Sequence, residues 1–396
     1  MIVSSCYHPR IAHIITDLNG FGGTEATLLK YLKGSKFHKD SHRIIVLKSS
    51  GVGDTLGAQM VSAGFSVVEL NQRKGNISLQ GITKLYLELE AFSPHVISAW
   101  LYHPSLLATV ISAFLQRRSC VIWHIRSLPF ATFMRTPNRY IVLKILSLLS
   151  FIAKPLVVSN STEAIRLHIL QGFKISAKLQ RVIPNGIDLA QYYPDSAEGL
   201  TVRKELGIPF DAIVIGCVGR FVPEKGYQDF FEAIKLVRKN LAEDQFNRIH
   251  FLGVGNEVSL GTPSFSKIST SAFSQHQLHL LGKRSDVPRL LRALDIFVLP
   301  SISEAFPNSL IEAMATGVAC VTTNVGQCGE VLGNSKYVVA PSDPIQIANV
   351  IVKLIDSGVD GRSMLGQENR MRVADKYELG KMVQNFDELF SSVAVS

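Results

Sequence analysis

Short runs of β-branched and apolar residues recur along this chain, separated by longer stretches with helical periodicity, and the whole pattern occurs twice. In the first half the strand-like runs are Ile11–Leu18, Arg43–Lys48, Phe65–Leu70, His95–Trp100, Cys120–Arg126 and Leu156–Asn160, with helical segments such as Thr24–Lys33 and Ser105–Gln116 between them. In the second half they are Ala212–Val218, Ile249–Val254, Gln277–Leu281, Asp295–Leu299, Val318–Thr322 and Tyr337–Ala340. Strands this apolar have no face to offer water, so their alternation with helices predicts parallel sheets covered on both sides. Between the halves, Pro184–Pro209 is rich in turn residues and short on periodicity, and it reads as the inter-domain connection. A chain of 396 residues has the length for two domains. Two doubly wound sheets imply ligands bound in a cleft beyond the carboxyl ends of their strands.

Apolar residues make up 46% of the chain and charged residues 18%, which excludes a disordered polymer. The five cysteines, Cys6, Cys120, Cys217, Cys320 and Cys328, form no CxxC pair and mostly sit in apolar runs. They read as buried, reduced thiols of a cytoplasmic protein without a metal framework. The N-terminus lacks the apolar run of a secretory signal. Tyr140–Ala153 is the most membrane-like stretch, but Lys144 interrupts it, and 14 residues fall short of the ~20 needed to span a bilayer. The stretch reads as a buried helix.

Charge is unevenly divided. Residues 1–190 hold 21 Lys+Arg against 9 Asp+Glu, a net of +12, whereas the whole chain is +9. The first half therefore suits an anionic partner: lipid headgroups, a pyrophosphate-linked acceptor or nucleic acid. Solubilising lysines spread evenly over the surface would give the same count. Nucleic acid is set aside, because the sequence shows no helix-turn-helix, zinc or RNP-type signature and no aromatic platform among its basic residues.

Glu304 and Glu312 stand eight positions apart, too far for one helical face. Glu304 follows the strand-like Asp295–Pro300 run, and Glu312 lies in a helix predicted to begin near Asn308. The pair thus brackets a strand–turn–helix junction, where N–H groups at the helix start can receive an anion. A phosphate held between carboxylates that grip hydroxyls describes a nucleotide-sugar site. After the first strand of the second half, Gly219-Arg220-Phe221-Val222-Pro223-Glu224-Lys225-Gly226 places two cations, Arg220 and Lys225, on one loop. They are suited to a diphosphate. In the first half, Asn19-Gly20-Phe21-Gly22-Gly23-Thr24-Glu25 follows a strand and opens a helix. Its glycines permit close approach of a ligand, although the spacing is not GxGxxG. Thr24 reads equally well as a helix N-cap.

These segments, in this order, resemble the GT-B glycosyltransferases of family 4. Ser303–Gly317 resembles their Glu-x7-Glu signature, with Ala305 where many relatives carry Gly. Gly219–Gly226 resembles their Gly-Arg…Lys-Gly loop, and Arg181–Asp188 resembles their Pro-Asn-Gly-Val/Ile-Asp turn. The resemblance is strong over residues 181–330 and looser over the first half. It implies two Rossmann-like domains facing a central cleft. The first would be acceptor-side and span 1–190, with a C-terminal helix, 376–396, packing back on it. The second would bind the donor and span 191–375.

The resemblance also assigns roles. Glu312 accepts hydrogen bonds from ribose hydroxyls, and Glu304 holds hydroxyls of the donor sugar. The backbone of Asn308, Ser309 and Leu310 meets the diphosphate, which Arg220 and Lys225 neutralise. The nucleobase lies against Leu281–Val287, beside Lys283 and Arg284. Gly22 and Gly23 face the donor, with Thr24 and Glu25 behind them on the acceptor side. His124, at a predicted strand end and so at the cleft, contacts the donor sugar. Arg126 is its competitor and could bind a phosphate or an acidic acceptor. Asn185 and His103 complete the acceptor-side candidates, although a lone histidine such as His103 is more often structural.

The function so implied is retaining transfer from a nucleotide-sugar, UDP-sugar favoured and GDP-mannose the alternative. The acceptor is a glycan or a polyprenyl-pyrophosphate-linked glycan in bacterial surface-polysaccharide assembly (O-antigen, capsule or lipopolysaccharide). No Asp-x-Asp signature or metal-ligand cluster appears, so no metal or other cofactor is expected. The location implied is cytoplasmic, peripheral at an anionic inner membrane face. Rival readings are a catalytically silent GT-B binding protein and a GT-B UDP-sugar epimerase, whose catalytic acids we cannot match to this chain.

Overall fold

A computed structural model describes residues 9–19, 22–48, 55–72, 78–129 and 137–394; Cys6, Gly20 and Phe21 lie outside the described residues. The chain divides into two units, Met1–Gly186 with Leu379–Ser396, and Ile187–Glu378.

The first unit holds strands β1 (Ile11–Ile15), β2 (His42–Val46), β3 (Ser66–Glu69), β4 (Val96–Trp100), β5 (Cys120–Ile125), β6 (Leu156–Ser159) and β7 (Gln180–Val182). They form one sheet in the order β3-β2-β1-β4-β5-β6-β7 with every pairing parallel. Its helices are α1 (Gly23–Gly34), α2 (Leu56–Ser62), α3 (Leu79–Phe92), α4 (Tyr102–Ser112), α5 (Pro137–Ala153) and α6 (Thr162–Leu170). The period of two along a strand sorts β1 between two cores. Ile11 and Ile15 join Leu28, Leu32 and Trp100 on one face, and Ala12 and Ile14 join Leu85, Leu89 and Leu107 on the other. All five β1 residues are buried, as a strand covered on both faces requires.

The second unit repeats the plan. It comprises α7 (Ser196–Glu205), β8 (Ile213–Val218), α8 (Tyr227–Asn240), α9 (Glu243–Asn247), β9 (Ile249–Val254), α10 (Pro263–Thr270), β10 (Leu278–Leu280), α11 (Val287–Leu291), β11 (Ile296–Leu299), α12 (Asn308–Ala315), β12 (Ala319–Thr323), α13 (Cys328–Leu332), β13 (Val338–Val339), α14 (Pro344–Asp356) and α15 (Gly358–Lys376). Its sheet runs β10-β9-β8-β11-β12-β13, again all parallel. Val214 and Ile215 alternate between its two cores, as do Phe297 and Val298.

The final helix, α16 (Leu379–Ala394), belongs to the first unit, where Phe386 and Phe390 pack beside Tyr31. Asp387 is buried there and accepts from the Tyr31 hydroxyl at 3.0 Å, the Ser35 hydroxyl at 2.7 Å and the Lys36 N–H at 3.0 Å.

Several expectations are corrected. The connection expected over Pro184–Pro209 contains α7, whose Asp195 caps it by accepting from the Glu198 N–H at 3.0 Å. Its apolar periodicity is weak because it is tethered largely by polar contacts: Arg203 bonds Asp295 at 2.7 Å and the Ala293 carbonyl. The helix expected over Ser105–Gln116 starts at Tyr102 and ends at Ser112, since Pro104 is tolerated in a first turn. Strand β7 was not expected; at three residues with two exposed it carries little pattern. The stretch expected as a buried helix, Tyr140–Ala153, lies in α5 and is only half buried: Val142, Leu143 and Leu146 face inward, but Ile141, Leu148, Phe151 and Ile152 are exposed. Cys217, Cys320 and Cys328 are buried and free, whereas Cys120 is half-buried.

Candidate functional site

In the second unit, strand order reverses between β8 and β11, and ligands of open parallel sheets bind beyond the strand ends at such a point. The loops leaving these two strands carry Arg220, Lys225 and Glu304. They are stitched together by backbone: the N–H of Ile302 donates to the Glu224 carbonyl at 2.8 Å, and that of Ser303 to the same oxygen at 3.3 Å. Gly226, at φ +65°, closes the first loop, and a Cβ there would lie 1.9 Å from the Pro300 carbonyl oxygen. Only glycine allows the two loops to touch.

That contact brings Lys225 to Glu304. The ammonium donates to the carboxylate, which also accepts from the Ser301 hydroxyl at 2.9 Å. Arg220, in contrast, is exposed, and its guanidinium has no partner among the described residues. One cation is thus fixed and a second stands open on one loop, an arrangement suited to a diphosphate.

Helix α12 starts at Asn308 after Pro307, with no side chain capping it. The Pro307 carbonyl accepts from the N–H groups of Leu310 at 3.1 Å and Ile311 at 3.2 Å. This corrects one expectation: the Leu310 N–H is already bonded within the helix turn, and Leu310 is wholly buried. Asn308 and Ser309 are half-buried and lie ahead of that ladder, at the positive end of the helix dipole. Glu312 follows one turn later and is half-buried.

The sequence reading missed Tyr192, whose hydroxyl hydrogen-bonds the Glu312 carboxylate; burial, and then that carboxylate, push its pKa up. Its only signal was an aromatic pair, Tyr192-Tyr193, in a stretch read as linker. Lys283 and Arg284 are exposed, and Arg284 is held bidentately by Asp286 on its own loop at 2.8 and 2.7 Å. Self-pairing ties Arg284 to its own loop.

The first unit has the same reversal, between β1 and β4. Gly22 is the N-cap of α1 and Gly23 its first residue, so Thr24 is not the N-cap. A Cβ on Gly22 would lie 2.1 Å from a Glu25 carboxylate oxygen. The glycine makes room for that carboxylate, which bonds its own backbone N–H at the helix start. Burial raises the Glu25 pKa, with Asp17 adding to the effect and Arg126 opposing it.

Arg126 is buried against Asn185, whose side-chain oxygen accepts from it, and its charge lies 5.4 Å from the Trp100 ring centroid. Burial lowers its pKa to about 9. Its Nη1 is buried without a partner.

His124 was expected at an open strand end. The structure instead buries it within β5, 1% exposed and stacked on Trp100 at 4.0 Å, with Nε2 2.8 Å from the Ser98 hydroxyl. The strand alternation turns its ring into the aromatic core, and desolvation holds its pKa well below the usual histidine value. His103 lies half-buried in the first turn of α4. Among the described residues no group of three His, Cys, Asp or Glu side chains is placed to hold a metal ion.

Residues 212–357 match the family model described as "Glycosyl transferases group 1". This span holds Arg220, Lys225, Glu304 and Glu312. The chain is 29% identical over 218 residues to a UDP-Gal:alpha-D-GlcNAc-diphosphoundecaprenol alpha-1,3-galactosyltransferase of Escherichia coli, covering 54% of each chain. It is 25% identical over 328 residues to the capsular polysaccharide biosynthesis glycosyltransferase CapM of Staphylococcus aureus, covering 79% of this chain and 81% of that one. The chain thus spans about half the length of the first of these relatives. Anabaena Alr3699/HepE, solved in complex with UDP and glucose, superposes with a TM-score of 0.79 at 19% identity, covering 97% of this chain and all of that one. The fold is that of the GT-B glycosyltransferases, and within the second unit residues 212–357 are similar to the glycosyl transferases group 1 family.

Proposed function

We propose that this protein transfers a sugar, with retention, from a UDP-sugar to a lipid-linked diphosphate glycan during bacterial surface-polysaccharide assembly. The observation that carries the reading is the Lys225–Glu304 pair, held by two loops at the strand-order reversal and followed by the uncapped start of α12. In this reading Glu312, hydrogen-bonded by Tyr192, accepts from the ribose hydroxyls. The donor class is supported by the UDP bound in the Anabaena neighbour, and the acceptor class by the diphosphoundecaprenol substrate in the name of the E. coli relative. GDP-mannose is the competing donor.

In this reading Arg220 and Lys225 stabilise charge on the departing diphosphate, in place of a metal ion. The bond from the sugar's anomeric carbon to the diphosphate oxygen breaks as the acceptor hydroxyl oxygen bonds that carbon from the same face. The acceptor's proton passes to the leaving phosphate oxygen. The first unit takes the acceptor, with Arg126, Asn185 and Glu25 as its polar candidates, and the protein works from the cytoplasmic side of a membrane.

The test is thermal stability with UDP, GDP or ADP in the presence of EDTA, for the natural chain and for Glu312→Ala. A ligand at a hundred times its Kd adds about 2.7 kcal/mol. Stabilisation by UDP that is lost in the variant supports the site. If no nucleotide stabilises at saturation, a binding protein without activity becomes the better reading.

A further inference from the structure

The outward face of α5 is apolar. Ile141, Ile145, Leu148 and Ile152 follow the i, i+4, i+7, i+11 spacing of one helical stripe, with Phe151 beside it, and they are 40–66% exposed. The opposite face, Val142, Leu143 and Leu146, is buried. A helix with apolar residues on both its inward and its outward side ordinarily buries both, yet among the described residues only one side of this one is buried.

The charge around the stripe points to what covers it. Between Glu90 and Asp188 the sequence has eleven Lys and Arg and a single acidic residue, Glu163. The Glu163 carboxylate is held by Arg166 through two bonds of 2.6 Å. Lys144 is on α5 and Lys154 directly follows it; the Lys174 backbone N–H donates to the Ser150 hydroxyl of α5 at 2.8 Å, and all three lysines are exposed. A second copy of this chain meeting the stripe face to face through the same surface would bring like charge to it. An anionic lipid surface meets it with opposite charge and takes the apolar side chains below its headgroups.

We infer that the outward face of α5 is a membrane-docking surface for anionic lipid. Its 17 residues span about 26 Å, less than the ~30 Å hydrocarbon core, so the helix lies on the bilayer instead of crossing it. Among the described residues no helix is long and apolar enough to cross. This inference rests on the lipid-linked acceptor reading for its purpose, and it specifies which element meets the lipid.

The experiment is co-sedimentation of the full chain with phosphatidylglycerol-containing vesicles and with phosphatidylcholine vesicles, at low salt and at about 0.5 M salt. The variants are L148E/I152E, K144E/K154E and, as a control on the second unit, M364E. Melting with UDP is followed in parallel. The natural chain and M364E are expected to bind anionic vesicles at least tenfold better than neutral ones, and less well in high salt. L148E/I152E and K144E/K154E are expected to lose at least tenfold in binding while keeping the UDP response of the natural chain. Equal binding to both vesicle types, or undiminished binding of L148E/I152E, overturns the inference. So does a natural dimer that L148E/I152E dissociates without any vesicle binding. Absence of a UDP response in the natural chain counts against the transferase reading and leaves the vesicle result to stand or fall separately.

Discussion

The ammonium of Lys225 is bonded to the carboxylate of Glu304 across 79 positions of sequence, with the Ser301 hydroxyl on the same carboxylate oxygen. Both side chains are largely buried, so each is the other's countercharge away from bulk water. If the proposed transfer holds, Lys225→Ala is expected to lower kcat about 10²–10³-fold with a smaller change in KM, because in that reading the ammonium acts on charge that grows in the transition state. It should also cost about 1–3 kcal/mol of stability by leaving Glu304 without its countercharge. Adding Glu304→Gln should restore stability and leave transfer impaired, which urea unfolding and a donor-hydrolysis or transfer assay together would read.

Tyr192 holds Glu312 from a segment more than a hundred residues earlier. Tyr192→Phe keeps the ring and removes the hydroxyl. The expected result is UDP affinity three- to tenfold weaker, roughly one hydrogen bond's worth. Glu312→Ala should abolish the UDP-dependent rise in melting temperature. Titration calorimetry with UDP on both variants distinguishes orientation from direct contact, and a Tyr192→Phe protein with unchanged Kd would remove Tyr192 from the site.

Stability should fall on acidification. Burial lowers the pKa of His42 and of His168 from 6.5 to about 4. His168 donates from Nδ1 to the Ala164 carbonyl at 2.6 Å and accepts at Nε2 from the Tyr102 hydroxyl at 2.8 Å, a network complete for the neutral ring. Between pH 6.5 and 4 the unfolded chain binds protons that the folded chain refuses, so folding free energy is lost as pH falls through that window. Each ring contributes roughly 3 kcal/mol across it. Urea midpoints at pH 7.5, 6, 5 and 4.5 should decline steadily; a flat profile would contradict neutral burial.

Asp387 fastens α16 to α1 through three donors. Asp387→Ala is expected to cost about 2–4 kcal/mol, since Tyr31 is then left buried without its acceptor. Tyr31→Phe should cost about 1 kcal/mol. The check is denaturant unfolding with UDP binding measured beside it, because the second unit contributes none of these groups.

The alternation of apolar runs with helical stretches determined the two parallel sheets, and the spacing of Arg220, Lys225, Glu304 and Glu312 marked the loops of the second unit's candidate site. Both are local patterns: strand faces repeat every two residues, and a helix start is announced by Pro307 and the residues after it. Partnerships were not legible, because they depend on which loops the sheet order brings side by side. That order joined Lys225 to Glu304, set Tyr192 on Glu312, and left Arg284 to its neighbour Asp286. Burial was illegible for the same reason. The strand run Cys120–Arg126 is apolar whichever way its rings point, and only packing put His124 into the aromatic core against Trp100. Apolar composition made Tyr140–Ala153 read as an interior helix; the tertiary structure decided that Ile141, Leu148, Phe151 and Ile152 are exposed among the described residues, since a helix on the outside of a sheet buries the face it turns inward.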